Sequence, residues 1–253
     1  MSTFQHSKIE KIFQLVGITP GASICLQSSL KVFSSLGFSP ESIIESFLNL
    51  IGEKGTLIMP TYNFHSWTEH QFFDIRETPS EVGALTEIFR KYPGVRRTKH
   101  PIHSLAVWGK LKDELCAIDA TNSFGLDSVF ATLEKHNILY LTAGTDLSMP
   151  FLHCHYSEFI YGVGYRKEKF FSGNYVDENG ESQVKEYSFD VKKDEFRSLI
   201  SPVYEVHEDL YRQGVVHKIE HSDIKICFAR SSEYHSAFIQ FIKNNQLLFR
   251  NTV

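Results

Sequence analysis

The chain has 253 residues, of which 42% are hydrophobic and 22% are charged, which is the composition of an ordinary folded protein with room for a sizeable core. Its formal net charge of −4 argues against nucleic acid as the main partner and favours a small molecule. No apolar run reaches the roughly 20 residues that span a bilayer, and charges occupy the N-terminus where a signal peptide would be apolar, so we expect a cytoplasmic protein that does not bind membranes.

Strands and helices are predicted to alternate along the first part of the chain. Apolar runs and helical spacings predict, in chain order, helix 8–15, strand 24–26, helix 40–51, strand 56–59, helix 78–92, strand 104–108, helix 128–136 and strand 138–141. This order favours an α/β fold with three layers, α/β/α, around a largely parallel or mixed central sheet. Ligands of such sheets gather at the carboxyl ends of the strands.

The pattern changes after Gly164. Alternating residues on both sides of the turn 177–180 predict an antiparallel β-hairpin, which we interpret as an insertion over 169–190. Helix 205–213, strand 224–229 and helix 232–244 then return to the α/β style. We therefore expect one domain over 1–253.

The long connection 60–82 has no periodicity and is rich in aromatic residues, which is typical of a functional loop. Further along, a basic turn over 93–104 collects five side chains that can bind an anion, namely Arg96, Arg97, Lys99, His100 and His103. The turn therefore suggests an anion site, although a solvated basic surface is the common alternative.

A second cluster surrounds His155. His155 and Glu158 are three residues apart and would share one face of a helix, where the carboxylate can orient the imidazole. A surface pair is the ordinary alternative. Cys154 raises the alternatives of a thiol nucleophile or, with His153, a metal site, but adjacent residues point in different directions and no second ligand cluster has metal spacing.

The sequence contains no recognisable motif for a disulfide framework, a structural metal or a nucleotide cofactor. The four cysteines contain no Cys-x-x-Cys pair, so we expect reduced thiols and no structural metal. Gly162-Val163-Gly164 lacks the third glycine of a dinucleotide-binding loop, and no phosphate-binding Gly-x-x-x-x-Gly-Lys motif occurs. From the residues alone, the prediction is an α/β enzyme with a basic turn and a reactive histidine.

Four runs carry a resemblance that goes further: GTLIMPTYNF at 55–64, TPSEVGALTEIFR at 78–90, PGVRRTKHPIHSLAVWG at 93–109 and HYSEFIYGVGYRKEKF at 155–170. Together they resemble the family of antibiotic N-acetyltransferases, which includes the aminoglycoside 3-N-acetyltransferases. The resemblance covers roughly residues 21–170, and it implies an acetyl-CoA-dependent acetyltransferase without a metal. In it His155 is the general base, and Glu158 is a carboxylate that either orients His155 or binds the substrate.

The resemblance also suggests binding residues. For acetyl-CoA we expect the groups around Ser28, Ser29, Leu30, Thr78 and Ser80 to hold the oxyanion and the pantetheine arm. Arg97, His100 and Ser104 are expected to bind its phosphates. For the sugar acceptor we expect Asn63, Trp67 and Asp74 from the aromatic connection.

Two departures affect the expected acceptor. Gln27 stands where the family motif usually has histidine, and the connection before residue 78 is short where aminoglycoside-modifying members have a longer acidic one. Because polycationic drugs need several carboxylates, we expect a nucleotide-linked deoxyamino sugar of surface polysaccharide as the acceptor. The alternatives are an aminoglycoside acetyltransferase that confers resistance and, more remotely, a Cys-dependent hydrolase or a non-catalytic sugar-binding protein. The sequence indicates no oligomeric state.

Overall fold

The computed structural model describes residues 9–10, 13–146, 150–196, 203–221 and 224–245. The strands there are β1 Ser23–Ser28, β2 Thr56–Pro60, β3 Phe72–Asp74, β4 Arg96–Arg97, β5 Leu105–Gly109, β6 Leu139–Ala143, β7 Arg166–Val176, β8 Ser182–Lys192, β9 His217–His221 and β10 Ile224–Arg230. The α-helices are α1 Leu30–Ser35, α2 Pro40–Ile51, α3 Phe64–Thr68, α4 Ala84–Arg90, α5 Lys112–Ala117, α6 Val129–Lys135, α7 His153–Tyr161, α8 Val203–Arg212 and α9 Ser231–Asn244.

The central sheet has seven strands in the order β4-β5-β2-β1-β6-β10-β9. Its middle strand β1 is parallel to both β2 and β6, whereas the outer strands pair antiparallel. β2 and β6 are buried at every position, as expected for short apolar strands covered on both faces. The predicted α/β fold with a mixed central sheet is confirmed.

Alternation along the strands divides the interior into two cores. Ile24 and Leu26 of β1 face a core that contains Phe33 of α1 and Phe47 of α2. Cys25, between them, faces the opposite core, which is built with helices α5 to α9. Successive side chains of a strand point to opposite faces, so this single strand contributes to both cores and makes the three-layer arrangement.

β7 and β8 form the antiparallel hairpin, whose register runs from Arg166 opposite Lys192 to Val176 opposite Ser182. It is longer at both ends than the predicted 169–190 segment. β3 pairs parallel with β7 and completes a separate three-stranded sheet. A third apolar cluster, which includes Trp67, packs this sheet against the rest of the protein.

The predicted helix 78–92 is shorter in the structure and covers Ala84–Arg90. The reason is local, because the Thr78 hydroxyl accepts a hydrogen bond from the Asp74 amide and the chain first passes through Gly83 at φ 146°. Helix 8–15 lies partly outside the described residues. Within the described part of the chain, no helix is both long and apolar enough to cross a membrane.

Candidate active site

A cavity of about 730 Å³ opens at the carboxyl ends of the parallel strands. Gln27 and Ser28 of β1, Pro60 of β2 and Thr142 of β6 all line it, because parallel strands end at the same edge of the sheet. Its size lies in the range that encloses small molecules and cofactors. The cavity is therefore the candidate active site.

His155 lines this cavity from α7, and Glu158 lies behind it, fully buried, one helical turn along. The His155 Nδ1 atom is 2.5 Å from Oε2 of Glu158. An ionised carboxylate can only accept, so Nδ1 is the donor and Nε2 keeps the lone pair. The arrangement leaves His155 able to accept a proton.

Glu158 is held in its ionised form by three neighbours. Burial opposes ionisation, but His155, Arg166 and Tyr165 together outweigh it and lower the pKa of Glu158. The Arg166 Nε atom is 2.7 Å from Oε2, and the Tyr165 hydroxyl donates to Oε1. A buried carboxylate with these partners is a fixed acceptor for the histidine.

The turn after α7 explains how these partners come together. The helix ends at Gly162, which has a left-handed backbone at φ 76° that a residue with a Cβ rarely adopts. The chain then reverses, and Tyr165 and Arg166 return against Glu158 at the start of β7. The contacts of Tyr165 and Arg166 with Glu158 therefore depend on the local turn at Gly162.

Three residues that line the cavity have a buried hydroxyl with no hydrogen-bond partner within the described residues. They are Ser28, at the end of β1, Thr142 of β6, and Thr145, just beyond β6. Buried polar groups are nearly always hydrogen-bonded in folded proteins. These hydroxyls are accordingly available to a bound molecule.

Cys154 also lines the cavity but is poorly suited to act as a nucleophile. Burial, reinforced by Glu158, raises the pKa of its thiol well above the ordinary value. Its Sγ atom is 3.6 Å from His155 Nδ1, the nitrogen that already donates to Glu158. The thiol therefore lacks the neighbouring base that a cysteine nucleophile needs.

His153 lies on the other side of α7 and is fully buried. Its Nδ1 atom is 3.2 Å from the Tyr140 hydroxyl, and burial lowers its pKa to about 3. The described residues contain no group of three or more His, Cys, Asp or Glu side chains arranged to hold a metal ion. His153 is thus a neutral core residue.

A family model described as aminoglycoside 3-N-acetyltransferase matches residues 26–239. The chain belongs to this family. The family resemblance predicted from the four sequence runs is thereby confirmed.

Individual relatives match at low identity. The aminoglycoside N(3')-acetyltransferase-like protein YokD of the SPbeta prophage in Bacillus subtilis (strain 168) is 27% identical over 137 residues, 45% of this chain and 50% of that protein. Aminoglycoside N(3)-acetyltransferase IV from Salmonella sp is 31% identical over 102 residues, 39% of this chain and 38% of that protein. These matches span half or less of the relatives' own length.

Solved structures of the family share the fold. AAC-VIa bound to sisomicin superposes with a TM-score of 0.82 at 18% identity, over 95% of this chain and 97% of that chain. AAC-IIIb in a binary complex with CoASH gives a TM-score of 0.79 at 14% identity, over 98% of both chains. At these identities the likeness establishes the fold.

Part of the basic turn is buried in the interior, although Arg96 is exposed. Arg97 is buried, and its guanidinium donates to the Thr78 carbonyl at 2.6 Å, the Thr61 carbonyl at 2.6 Å and the Ser104 hydroxyl at 3.0 Å. Burial, reinforced by Arg90, lowers the pKa of Arg97 to about 9. Arg97 and Ser104 therefore crosslink the loops at the sheet edge, which corrects the expectation that they face coenzyme phosphates.

His100 belongs to the same interior network. Its Nε2 atom is 3.1 Å from the Ser188 carbonyl and 3.0 Å from the Ser123 hydroxyl, so it joins the basic turn to the hairpin strand β8. Burial lowers its pKa to about 4. A neutral, enclosed imidazole is not a phosphate ligand, and this expectation is corrected as well.

The three predicted acceptor-binding residues likewise lie away from the cavity lining. Asn63 is fully buried and bridges Arg97 to the Pro79 carbonyl. The buried Trp67 donates from Nε1 to the Phe171 carbonyl at 3.2 Å. Asp74 accepts from the Arg76 amide at 2.8 Å and also pairs with the Arg76 side chain. These residues build the aromatic connection and dock the hairpin, which corrects their predicted role.

Of the remaining predicted coenzyme residues, Ser28 lines the cavity, whereas Ser29, Leu30, Thr78 and Ser80 do not. The Ser29 amide donates to the Ala143 carbonyl at 3.0 Å, and Ser80 is tied to α4 through Thr86 and Glu87. Sequence reasoning did not assign roles to several lining side chains, namely Gln27, Tyr62, Thr86, Thr145, Arg166, Lys192 and Tyr204. Four of them had a signal: Tyr62, Thr86 and Arg166 lie within the family-like runs, and Gln27 is the departure from the usual family motif.

Proposed function

We propose that this protein transfers an acetyl group from acetyl-CoA to the amine of an amino sugar. The observation that carries the proposal is the His155–Glu158 pair, with its base on the wall of a 730 Å³ cavity in a member of the aminoglycoside 3-N-acetyltransferase family. A base of this kind contributes on the order of 10²–10⁴-fold to such a reaction.

The acetyl group passes directly from the thioester to the amine, and no covalent intermediate on the enzyme is required. The amine nitrogen attacks the thioester carbonyl and the new C–N bond forms, while the proton leaving nitrogen passes to Nε2 of His155. The C–S bond then breaks, and coenzyme A leaves as a thiolate that takes up the proton. Ser28 and Thr145 supply hydroxyl groups that can donate to the developing oxyanion or to the pantetheine arm.

The names of the relatives bear on the acceptor. They support aminoglycosides, the alternative acceptor in the sequence analysis, better than the nucleotide-linked sugar placed first there. The Cys-dependent hydrolase loses its basis because the Cys154 thiol is buried and has a raised pKa. The proposal is therefore an amino-sugar N-acetyltransferase of aminoglycoside 3-N-acetyltransferase type.

The test is release of free thiol from acetyl-CoA by the purified protein, with amino sugars and aminoglycosides offered as acceptors. We expect thiol release with at least one acceptor and measurable binding of acetyl-CoA. His155→Ala should bind acetyl-CoA normally and release little thiol. A protein that neither binds acetyl-CoA nor releases thiol would refute the proposal.

A further inference from the structure

A second, smaller pocket of about 240 Å³ lies between the basic turn and the tip of the hairpin. Among the described parts of the chain, it shares no lining residue with the candidate active site. Four arginines line it: Arg76 just after β3, Arg90 at the end of α4, and Arg96 and Arg97 of β4. The one described carboxylate on its wall is that of Glu178, in the turn between β7 and β8. Because guanidinium groups around so small a space repel one another, the pocket favours a negatively charged occupant.

The two buried arginines bring more positive charge than the neighbouring carboxylates offset. Arg90 pairs with Glu87 at 2.7 Å, but Glu87 is also shared with Lys91 at 3.0 Å. Arg97 donates to carbonyl, hydroxyl and amide oxygens, all of them neutral, and no described carboxylate lies within ion-pair distance of it. A buried charge without a partner of opposite sign is costly. An anion in the pocket would offset part of that cost.

The two exposed arginines keep hydrogen-bond donors for a ligand. Arg96 donates from Nη1 to Asp113 at 2.9 Å, and its Nε and Nη2 atoms are bonded to none of the described residues. Arg76 donates from Nε and Nη2 to Asp74 at 3.3 and 3.2 Å, which leaves its Nη1 atom without a partner in the described chain. Guanidinium donors form a planar fork that matches phosphate oxygens. Both arginines can therefore bind such a group and keep their ion pairs.

The hairpin turn leaves space for the Arg76 guanidinium. A Cβ atom at Gly180 would lie 3.2 Å from Nη1 and 3.3 Å from Nη2 of Arg76, which is closer than ordinary van der Waals contact. The Arg76 side chain therefore packs against the turn at the edge of the pocket. A donor that is held in place in this way loses less conformational entropy when a ligand binds.

We propose that this pocket binds a phosphate group. Arg76 and Arg96 supply the hydrogen bonds, and Arg90 and Arg97 behind them supply charge. A volume of 240 Å³ lies below the roughly 300 Å³ at which pockets begin to enclose whole ligands, so the site fits one phosphate group better than a nucleotide. The phosphate is either free or the end group of a larger molecule that extends into solvent. The site uses no residue of the proposed acetyl transfer, so the two can be tested separately.

The test is calorimetric titration of the purified protein with inorganic phosphate, with sodium chloride of equal ionic strength as the blank. We expect saturable binding of one phosphate. Arg96→Gln and Arg76→Gln each remove a charged donor and should weaken this binding by about tenfold. Glu178→Gln removes a repelling carboxylate from the wall and should strengthen it several-fold. Opposite signs at neighbouring positions are not the result of a general loss of structure.

Arg212→Gln is the matched control. Arg212 is an exposed arginine on α8 with an ion pair to Asp209 at 3.6 Å, and it does not line the pocket. Its replacement should leave the phosphate affinity unchanged. Thermal melts in phosphate-free buffer show whether each variant is folded, and we expect melting temperatures close to that of the unaltered protein because the exchanged side chains are exposed.

A second titration, with acetyl-CoA in the presence of saturating phosphate, identifies the source of the phosphate group. If phosphate weakens acetyl-CoA binding in the unaltered protein but not in Arg96→Gln, the coenzyme supplies the group. Unchanged acetyl-CoA binding assigns the site to free phosphate or another phosphate ester. The proposal is overturned if phosphate does not bind above the chloride blank, if Arg96→Gln and Arg76→Gln bind it as tightly as the unaltered protein, or if Glu178→Gln weakens binding. None of these three results bears on acetyl transfer.

Discussion

The region around His155 and the region around His100 contain the same type of side chain, but their surroundings leave them different chemistry. His155 has one nitrogen fixed by Glu158 and the other left with a lone pair beside a cavity. His100 has Nε2 against Ser188 and Ser123, and Nδ1 within 3.4 Å of the His103 amide. A histidine can serve catalysis only when one ring nitrogen remains available, whereas a histidine with both nitrogens engaged holds the fold together.

The charges of the two regions differ in the same way. Arg97 in the basic turn is surrounded by carbonyl and hydroxyl oxygens, whereas Arg166 is paired with a carboxylate and exposes part of its side chain to the cavity. Substitutions in the first region should therefore change stability, and those in the second should change turnover. This distinction would be refuted if substitutions in the basic turn changed turnover, or if substitutions around His155 changed only stability.

The largest expected effect is on catalysis. His155→Ala removes the base, and kcat should fall on the order of 10²–10⁴-fold while the melting temperature and the acetyl-CoA affinity stay nearly unchanged. Stopped assays of thiol release and a thermal melt measure the two quantities. Retention of near-normal kcat would show that another group accepts the proton.

Arg97→Met should cause the largest loss of stability. It removes the donors that satisfy the buried Thr78 carbonyl and the Asn63 amide oxygen, each worth about 1–3 kcal/mol when left without a partner. We expect a loss of at least about 3 kcal/mol in the free energy of unfolding, measured in urea. Arg96→Met is the control, because Arg96 is exposed and its ion pair with Asp113 should contribute less than about 1 kcal/mol.

The outcome at Arg97 also shows what the sequence can predict. The sequence identifies charge and spacing, but burial depends on how strands far apart in the chain align, and β4 is an edge strand of only two residues. His155 was placed correctly on a helix with Glu158 because their contact is local, three residues apart. Lys192 could not be found, since only the register of the hairpin brings it opposite Arg166.

The fold was more predictable than the site for a similar reason. Ser39 caps α2 by accepting from the Ser42 amide, and the central strands are continuous apolar runs, so both are determined by neighbouring residues. The six-residue helices α1 and α5, and the polar strand β9, have little pattern of their own. Such elements depend on tertiary packing more than on their own sequence.

The pH dependence of the free energy of unfolding tests whether His100 is a buried, neutral residue of the interior. Its pKa of about 4 in the folded protein lies below the ordinary value of 6.5, so the unfolded chain binds more protons between these limits. Stability is therefore lost as the pH falls from about 6.5 to about 4, with a loss of about 2 kcal/mol from His100 near pH 5. Urea unfolding of the unaltered protein and of His100→Gln at several pH values measures it. The variant should show a shallower slope, and parallel slopes would contradict the assignment.

The smallest expected effect concerns a single hydroxyl on the cavity wall. Thr145→Val keeps the shape of the side chain and removes a buried hydroxyl that has no protein partner among the described residues. Because no internal hydrogen bond is lost, the free energy of unfolding should stay the same or rise slightly. The KM for acetyl-CoA or for the acceptor should rise several-fold, about the effect of one hydrogen bond to a ligand.

Thr61→Val is the matched control, because the Thr61 hydroxyl accepts from Arg97 at 3.2 Å and contacts Ser104 at 3.1 Å inside the protein. Its loss should lower stability and leave both KM values unchanged. If Thr145→Val lowers stability instead, the hydroxyl belongs to the fold, and the difference between cavity wall and interior does not extend to this position.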